Sequence, residues 1–347
     1  MKVLTEMGKY GHEMIVFGQD EKVGLKCIIA VHSTALGPAL GGTRFWNYDT
    51  EEEALYDVLR LSKGMSLKNA AAGLKLGGGK AVIIGDPKKL RSKEFFNAYG
   101  RIVNRLGGSY YTAEDVQTTD QDMLWISEET KYVTGLPGRS GNPSPFTALG
   151  TYVAMKAAAK EKYGNDSLAG KVIAVQGLGN VGYGVAKYAA EEGAKLKVFD
   201  INPDSVAKAV SELKATAVTA DEILFTDCDI IAPCALGAVF NTENLKSVKA
   251  SIICGCANNQ LVDNAAGDLV DKMGILYAPD YIVNAGGVIN CAVEILEPAY
   301  DQKVVTEKVK HIYDSTLGVF KKAKDEKIPT YAAADEYAMG IIKAARP

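Results

Sequence analysis

The 347-residue chain has few of the side chains that build metal sites and histidine-based catalytic centres. It contains 3 histidines, and His12, His32 and His311 are scattered, so the sequence indicates neither a metal cluster nor a Ser/His dyad. No apolar run approaches the ~20 residues of a membrane-spanning helix. Met1 to Gln19 also lacks the continuous apolar segment of a signal peptide. We therefore expect a cytoplasmic protein without a membrane partner.

Neither sign of charge is in excess, and cysteine is not dense enough for a disulfide framework. The 39 Lys+Arg against 42 Asp+Glu give a net charge of -3, which does not favour nucleic acid as a partner. The six cysteines lie mostly in apolar, strand-like segments, as expected of reduced thiols. Cys254 and Cys256 could form half of a metal site, but no second Cys/His pair at ligand spacing completes it. We predict no metal.

The most informative segment is a glycine-rich stretch between two strand-like runs. Val172 to Val175 leads into Gly177-x-Gly179-x-x-Gly182, and a helical pattern follows to about Glu192. The first glycine permits a tight turn, the second lets backbone approach a pyrophosphate, and the third packs the helix close to the sheet. Glycines at this spacing also occur in ordinary turns, but the order strand, glycines, helix, strand and acid predicts a dinucleotide site.

The acid of this motif is Asp200, at the end of the second strand-like run, Leu196 to Phe199. Its carboxylate is placed to accept hydrogen bonds from an adenosine ribose and would repel a 2′-phosphate, which predicts NAD as the cofactor rather than NADP. The helix N-terminus offers free N–H groups to the phosphates. The predicted NAD-binding residues therefore also include Asn180, Val181 and Ile201.

The alternation of strands and helices predicts an α/β fold with two domains. A Gly- and Pro-rich segment, 134–143, is the best linker, and the βα alternation after it predicts a parallel, doubly wound Rossmann sheet. We expect residues 1–134 plus 326–347 to form an N-terminal α/β domain, residues 135–325 to form the NAD-binding domain, and a cleft to lie between them. The individual predictions are strands at 25–31, 80–85, 109–112, 229–233, 251–254 and 275–277, and helices from Thr50 toward Met65 and at 91–104, 146–162, 303–324 and 332–345.

A second set of chemically interesting residues lies in the first half of the chain. Lys68 and Lys80 sit among small and apolar residues, and Asp115 follows a strand-like run. Gly77-Gly-Gly-Lys80 is not a phosphate loop, because that motif needs a further glycine upstream and Ser or Thr after the lysine. Both lysines could be ordinary surface charges. Alternatively, a buried lysine of lowered pKa can act as a base, and another can bind a carboxylate.

Six short sequence motifs, spread over nearly the whole chain, together indicate one protein superfamily. They are Gly37-Pro-Ala-Leu-Gly-Gly-Thr43, Lys68-Asn-Ala-Ala-Ala-Gly73, Gly77-Gly-Gly-Lys80, Thr112-Ala-Glu-Asp115, Ala257-Asn-Asn-Gln260 and Asn284-Ala-Gly-Gly287. In this order they resemble the superfamily of glutamate, leucine, phenylalanine and valine dehydrogenases, and most of all its leucine dehydrogenases. The resemblance implies NAD-dependent, reversible oxidative deamination of an L-amino acid to a 2-oxo acid and ammonia. It also implies a homo-oligomer in which the first domain binds substrate and mediates assembly.

The resemblance assigns roles to individual residues. Lys80 matches the catalytic lysine that activates water, Asp115 the carboxylate that exchanges a proton with the substrate nitrogen, and Lys68 the lysine that binds the substrate carboxylate. Gly41 and Gly42 match glycines beside that lysine. Asn259 matches an asparagine in the substrate region, and Asn258 beside it is predicted to contact NAD.

The side-chain pocket implied by the resemblance is aliphatic. Its positions are Leu40, Ala113, Val288 and Cys291, and the absence of charge argues against glutamate as substrate. All four could instead be ordinary core residues. Three departures from the leucine dehydrogenase pattern stand out, namely Cys291 in place of valine, Gln117 in place of glycine and Val293 in place of an acid.

The expected substrate is therefore a branched-chain aliphatic amino acid such as leucine, valine or isoleucine. Three other functions stay open on the sequence. They are a phenylalanine or other amino acid dehydrogenase of the same superfamily, a 2-hydroxy acid dehydrogenase, and a non-catalytic NAD-binding sensor.

Overall fold

A computed structural model describes residues 2–235 and 237–346, and these divide into two compact units. The first unit is Met1–Asn142, Asn290–Gln302 and Ala338–Pro347, and the second is Pro143–Ile289 and Lys303–Tyr337. The chain thus passes from the first unit to the second and back twice. The functional domains expected from the sequence, 1–134 with 326–347 and 135–325, stay a prediction.

The first unit contains a mixed five-stranded sheet. Its strands are β1 (Met14–Asp20), β2 (Leu25–Ser33), β3 (Ala39–Trp46), β4 (Gly77–Ile84) and β5 (Tyr110–Glu114). They lie in the order β1-β2-β4-β3-β5. β2 is antiparallel to β1 and β4, whereas β3 is parallel to β4 and β5. The sequence patterns identified β2, β4 and β5 but not β1 and β3. Strand β3 contains Gly41-Gly42, and glycine is disfavoured in strands.

Helices cover both faces of this sheet. The helices of residues 1–142 are α1 (Val3–Tyr10), α2 (Glu51–Ala71), α3 (Pro87–Leu90), α4 (Lys93–Arg105) and α5 (Asp120–Ser127). On one face, Phe95 and Phe96 of α4 pack with Phe45, whose ring stacks on that of Phe95 at 5.3 Å. On the other face, α2 packs Leu55 and Val58 against the sheet. Burial of these apolar side chains on both faces stabilises the unit.

Helix α2 begins where the sequence predicted and ends later. The Thr50 side chain accepts a hydrogen bond from the Glu53 N–H, which caps the helix, and acidic residues fill its first turn. The helix was expected to end near Met65, but it continues to Ala71 and is followed by Gly73 in the left-handed region. Lys68 therefore lies on the last turns of a helix.

The second unit is a parallel, doubly wound sheet, as predicted. Its strands are β6 (Val172–Gln176), β7 (Lys195–Phe199), β8 (Thr216–Ala217), β9 (Ile230–Pro233), β10 (Ile252–Ile253) and β11 (Leu276–Tyr277). They lie in the order β11-β10-β9-β6-β7-β8, with every pair parallel. The strand order reverses at β6, and ligands of such sheets bind at the carboxyl ends of the strands at this switch point.

The remaining helices include those predicted at 146–162 and 332–345. They are α6 (Ser144–Tyr163), α7 (Asn180–Glu191), α8 (Pro203–Leu213), α9 (Ala220–Ile223), α10 (Asn264–Lys272), α11 (Asp280–Val283), α12 (Gly286–Leu296), α13 (Gln302–Lys310), α14 (Ile312–Glu326) and α15 (Thr330–Ala345). The helix predicted at 303–324 is in fact two, because the chain turns at His311 between α13 and α14. Among the residues described, no helix combines the length and apolar character needed to cross a membrane.

Candidate active site

Strand β4 and the turn after β5 approach strand β3 more closely than side chains on β3 would allow. A Cβ atom built on Gly41 would lie 1.8 Å from the carbonyl oxygen of Gly79, and one on Gly42 would lie 2.8 Å from the Cβ of Asp115. Both glycines are buried. Their lack of a side chain therefore lets β4 and the Asp115 turn pack directly on β3.

The same kind of close contact joins α2 to β4. A Cβ on Gly78 would lie 2.0 Å from the backbone nitrogen of Ser66. The side-chain amide of Asn69 donates a 2.6 Å hydrogen bond to the carbonyl of Gly77. Asn69 is fully buried, and its neighbour Lys68 is half-buried. The glycines before Lys80 thus bring the helix that carries Lys68 onto the strand that carries Lys80.

Lys80 and Asp115 form an ion pair in the interior of the first unit. The Nζ atom of Lys80 lies 2.8 Å from Oδ1 of Asp115, and Lys80 is only 5% exposed. The other carboxylate oxygen, Oδ2, accepts a hydrogen bond of 3.2 Å from Nε of Arg44. Burial raises the pKa of the Asp115 carboxyl, but Lys80 and Arg44 together outweigh burial and hold that pKa below its usual value.

A tight turn holds Asp115 at the end of β5. The N–H of Asp115 donates to the Thr118 hydroxyl at 2.8 Å, and the N–H of Thr118 donates to the Asp115 carbonyl at 3.1 Å. Gln117 has a φ of 60°, which is the region that favours glycine. Gln117, which stands where the leucine dehydrogenase pattern has glycine, therefore occupies a backbone conformation that glycine adopts more easily.

The predicted pocket residues are divided between the two units. Leu40 and Ala113 are buried on the paired strands β3 and β5 of the first unit. Cys291 also belongs to the first unit, whereas Val288 belongs to the second. Burial, aided by the nearby Glu294, raises the pKa of the Cys291 thiol to about 12, so this side chain is an uncharged thiol at neutral pH. These four residues stay predictions as a substrate pocket.

Sequence analysis did not identify Glu294, which organises a neighbouring loop. This carboxylate accepts hydrogen bonds of 3.0 Å from the Thr134 hydroxyl and the Gly135 N–H, and another from the Ser140 hydroxyl. Arg139 pairs with its other oxygen at 3.5 Å. No local pattern could have revealed this role, because the partners are more than 150 residues away in sequence.

The glycine-rich motif of the second unit has the geometry predicted for it. Gly177 follows β6 with a φ of 96°. A Cβ on Gly182 would lie 2.0 Å from the carbonyl oxygen of Gly177. A Cβ on Gly179, by contrast, would meet no atom within 4 Å. Helix α7 begins next to this open space, with Asn180 and Val181 in its first turn. A phosphate could therefore approach the N-terminus of α7 closely.

Asp200 lies beside this turn, after β7. Its two oxygens accept hydrogen bonds from the Leu178 N–H at 2.5 Å and the Asn202 N–H at 2.8 Å. Each carboxylate oxygen has a second lone pair left for a ligand hydroxyl. The adjoining Ile201 is 93% exposed, as expected for an apolar side chain available to an adenine ring. Turn, helix terminus and carboxylate together fit a dinucleotide.

Two asparagines follow β10 at the same carboxyl edge of the sheet. Asn258 accepts a 2.8 Å hydrogen bond from the side chain of Asn284 through Oδ1, and Asn259 has a φ of 52°. Both are exposed, so their side chains are accessible to a ligand. Over residues 2–235 and 237–346, no cluster of three or more His, Cys, Asp or Glu side chains could hold a metal ion.

The doubly wound sheet of the second unit, with a glycine-rich turn at its switch point, defines a dinucleotide-binding fold. The first unit separately contains a buried Lys–Asp pair. Two family models match the chain, "Glu/Leu/Phe/Val dehydrogenase, dimerisation domain" over residues 13–132 and "Glutamate/Leucine/Phenylalanine/Valine dehydrogenase" over residues 138–202 and 198–346. The chain belongs to this family of amino acid dehydrogenases, which implies a nicotinamide cofactor.

Individual relatives cover nearly the whole chain. Leucine dehydrogenase of Geobacillus stearothermophilus is 54% identical over an alignment of 349 positions, which covers 100% of this chain and 95% of that protein. Valine dehydrogenase of Streptomyces virginiae is 45% identical over 97% of this chain and 95% of its own length. The crystal structure of L-tryptophan dehydrogenase from Nostoc punctiforme has a TM-score of 0.91, with 40% identity and 99% of each chain covered.

Proposed function

We propose that this enzyme catalyses the reversible, NAD-dependent oxidative deamination of a branched-chain aliphatic L-amino acid, with leucine preferred and valine and isoleucine also accepted. The products are the 2-oxo acid, ammonia, NADH and a proton. The observation that carries the proposal is the buried pair of Lys80 and Asp115, 2.8 Å apart, at a sheet that also buries the uncharged residues Leu40 and Ala113. The 54% identity to a leucine dehydrogenase supports the choice of substrate.

Each residue has a task that its surroundings suit. Lys68 pairs with the substrate carboxylate, next to Gly41 and Gly42. Asp115, held as an anion by its two cationic neighbours, accepts a proton from the substrate ammonium, because hydride can leave Cα only from the neutral amine. Loss of the hydride from Cα to the nicotinamide would leave an imino acid. Lys80 activates the water that attacks the imino carbon, and the proton held on Asp115 returns to the nitrogen, so that ammonia leaves and the 2-oxo acid forms.

The proposed NAD site lies in the second unit, and bound NAD supplies the hydride acceptor. Gly177, Gly179 and Gly182, with Asn180 and Val181, would hold the pyrophosphate. Asp200 would accept hydrogen bonds from the adenosine ribose, and its charge disfavours a 2′-phosphate. Ile201 and Asn258 complete the proposed NAD contacts. Asn259 and Val288 are proposed to reach the substrate region.

We further propose that the first unit binds substrate and mediates homo-oligomer formation. The matched model of residues 13–132 is described as a dimerisation domain, which supports this role. We propose a cytoplasmic location, which agrees with the free state of all six cysteines.

A single assay tests the function. NADH oxidation is followed with 4-methyl-2-oxopentanoate in the presence and absence of ammonium, and NADPH is substituted for NADH in a parallel series. We expect turnover that requires ammonium and NADH. Turnover without ammonium would indicate a 2-hydroxy acid dehydrogenase, and binding of NADH without any turnover would indicate a sensor. Equal rates with NADPH would contradict the role of Asp200.

A further inference from the structure

Arg44 lies between two carboxylates on the strand next to the proposed catalytic pair. Its Nε donates to Oδ2 of Asp115 at 3.2 Å, and its Nη1 donates to Oδ2 of Asp57 at 2.8 Å. The side chain is 23% exposed. Residues 40–43 before it were recognised in the sequence, but nothing in the sequence indicated that Arg44 contacts Asp115, 71 positions later.

Asp57 is itself held in place from two sides. The Tyr48 hydroxyl donates to its Oδ2 at 2.7 Å, and Nη2 of Arg60, one turn further along α2, lies 2.9 Å from its Oδ1. Asp57 is therefore an anchored anion that fixes the far end of the Arg44 guanidinium. A planar guanidinium held at two of its nitrogen atoms has little freedom to rotate.

We propose that Arg44 is a positioning residue that orients Asp115 for proton exchange with the substrate. The proposal rests on the proposed function, because it concerns the same carboxylate. Lys80 contacts Oδ1 and Arg44 contacts Oδ2, so the two cations hold opposite oxygens of the carboxylate and fix the plane of the group. A displacement of ~1 Å in such a group can lower a rate about a hundredfold.

Arg44 also favours the ionised form of Asp115. A neighbouring guanidinium lowers the pKa of a carboxyl by ~1–3 units, and this carboxylate has to be ionised to accept the substrate proton. Several other titratable groups lie near Arg44 and Asp115 and interact with them electrostatically. They are Lys80 on β4, Asp57 on α2, Tyr48 after β3, and Tyr110 and Glu114 on β5.

The first test is the pH profile of Arg44→Gln. We expect kcat to fall about tenfold to a hundredfold, with KM for NAD within about twofold of the parent. The acid limb of kcat should move upward by ~1 unit, because Asp115 loses its nearest cation apart from Lys80. Arg44→Lys keeps the charge without the forked geometry. It should return the limb to the pH of the parent while kcat stays low.

The second test is a double-mutant cycle with Asp115→Asn. If Arg44 acts through Asp115, Arg44→Gln lowers kcat in the parent but has no further effect once Asp115 is replaced. Should Arg44→Gln fail to fold, Arg44→Lys carries the same cycle. Arg101→Gln is the matched control, since Arg101 forms ion pairs with Glu129 and Asp20 elsewhere in the first unit and should leave the kinetics unchanged.

Either of two results overturns the proposal. One is an acid limb of Arg44→Gln at the pH of the parent, and the other is an effect on kcat that is equally large in the Asp115→Asn background. These results are distinct from failure of the proposed function. In that case the parent enzyme itself would show no ammonium-dependent turnover, whatever stands at position 44.

Discussion

Among single residues, Lys68 and Lys80 of the first unit have different surroundings. We therefore expect their replacement to change different kinetic constants. Lys80 is almost completely buried and paired with Asp115. Lys68 is half-buried near the C-terminal end of α2, where the helix dipole favours a cation. The difference agrees with the roles proposed above, water activation for Lys80 and binding of the substrate carboxylate for Lys68.

We predict that Lys80→Ala lowers kcat by ~10²–10⁴-fold, the usual contribution of general acid–base catalysis. Lys68→Ala should mainly raise KM for the amino acid, because it removes the counter-charge of the substrate carboxylate. Steady-state kinetics measure both constants, and NADH binding followed by fluorescence is the control for an intact second unit. A loss of less than tenfold in kcat for Lys80→Ala would place the base elsewhere.

Gln117 offers a test at the turn beside Asp115. A non-glycine residue in the left-handed region costs ~1–2 kcal/mol, and glycine costs about 0.5–1 kcal/mol through the entropy of the unfolded chain. We therefore predict that Gln117→Gly raises the free energy of unfolding by about 0.5–1 kcal/mol. Urea unfolding measures the change, and Gln117→Ala, which keeps a Cβ, should show no such gain. A lower stability for the glycine variant would contradict this account.

At the scale of elements, α2 connects the proposed site to a buried histidine pair. Its Ser62 hydroxyl lies 2.7 Å from Nε2 of His12, and its Ser66 hydroxyl lies 2.8 Å from Nδ1 of His32. The two rings are 4.9 Å apart. The pKa of each histidine is lowered to about 4, mainly by burial and, for His12, also by the positive charge that His32 would carry. Both rings are thus neutral in the folded protein at neutral pH.

This arrangement predicts how stability depends on pH. Between pH 6.5 and about 4 the unfolded chain binds protons at His12 and His32 that the folded protein does not, so the free energy of unfolding falls as the pH is lowered through that window. Urea unfolding at pH 7 and pH 5 should show a smaller loss in the double variant His12→Asn/His32→Asn than in the parent. The exposed His311 provides a control, since His311→Asn should leave the parent's loss unchanged. Equal losses in the parent and the double variant would contradict the prediction.

For the molecule as a whole, the proposed homo-oligomer requires a surface that could form an interface between subunits. β1 is an edge strand of the first sheet, and it carries Phe17, which is 56% exposed. A sheet edge with an exposed aromatic residue is prone to pair with another chain. The first unit therefore offers a surface suited to assembly.

We predict a mass well above the 37.0 kDa of one chain in size-exclusion chromatography with light scattering. Phe17→Asp should shift the enzyme toward smaller species, because a carboxylate would be buried at the contact. Val210→Asp is the matched control, since Val210 is an exposed apolar residue of the second unit and should leave the mass unchanged. A parent protein that runs as a monomer would contradict the proposed assembly.

The features that could be predicted from the sequence are those whose residues lie close together in the chain. The dinucleotide motif lies within 171–200, and strand, turn, helix and acid each follow from local propensity and glycine geometry. The six motifs that resemble the dehydrogenase superfamily could likewise be recognised from the sequence, because their order along the chain requires no knowledge of tertiary contacts. Contacts between residues far apart in the chain could not be predicted in this way, because they depend on how the strands pair and pack. Lys80 lies on β4, Arg44 lies on β3, and Asp115 follows directly after β5. Strand register, together with the close approach permitted by Gly41, Gly42 and Gly78, brings the three together.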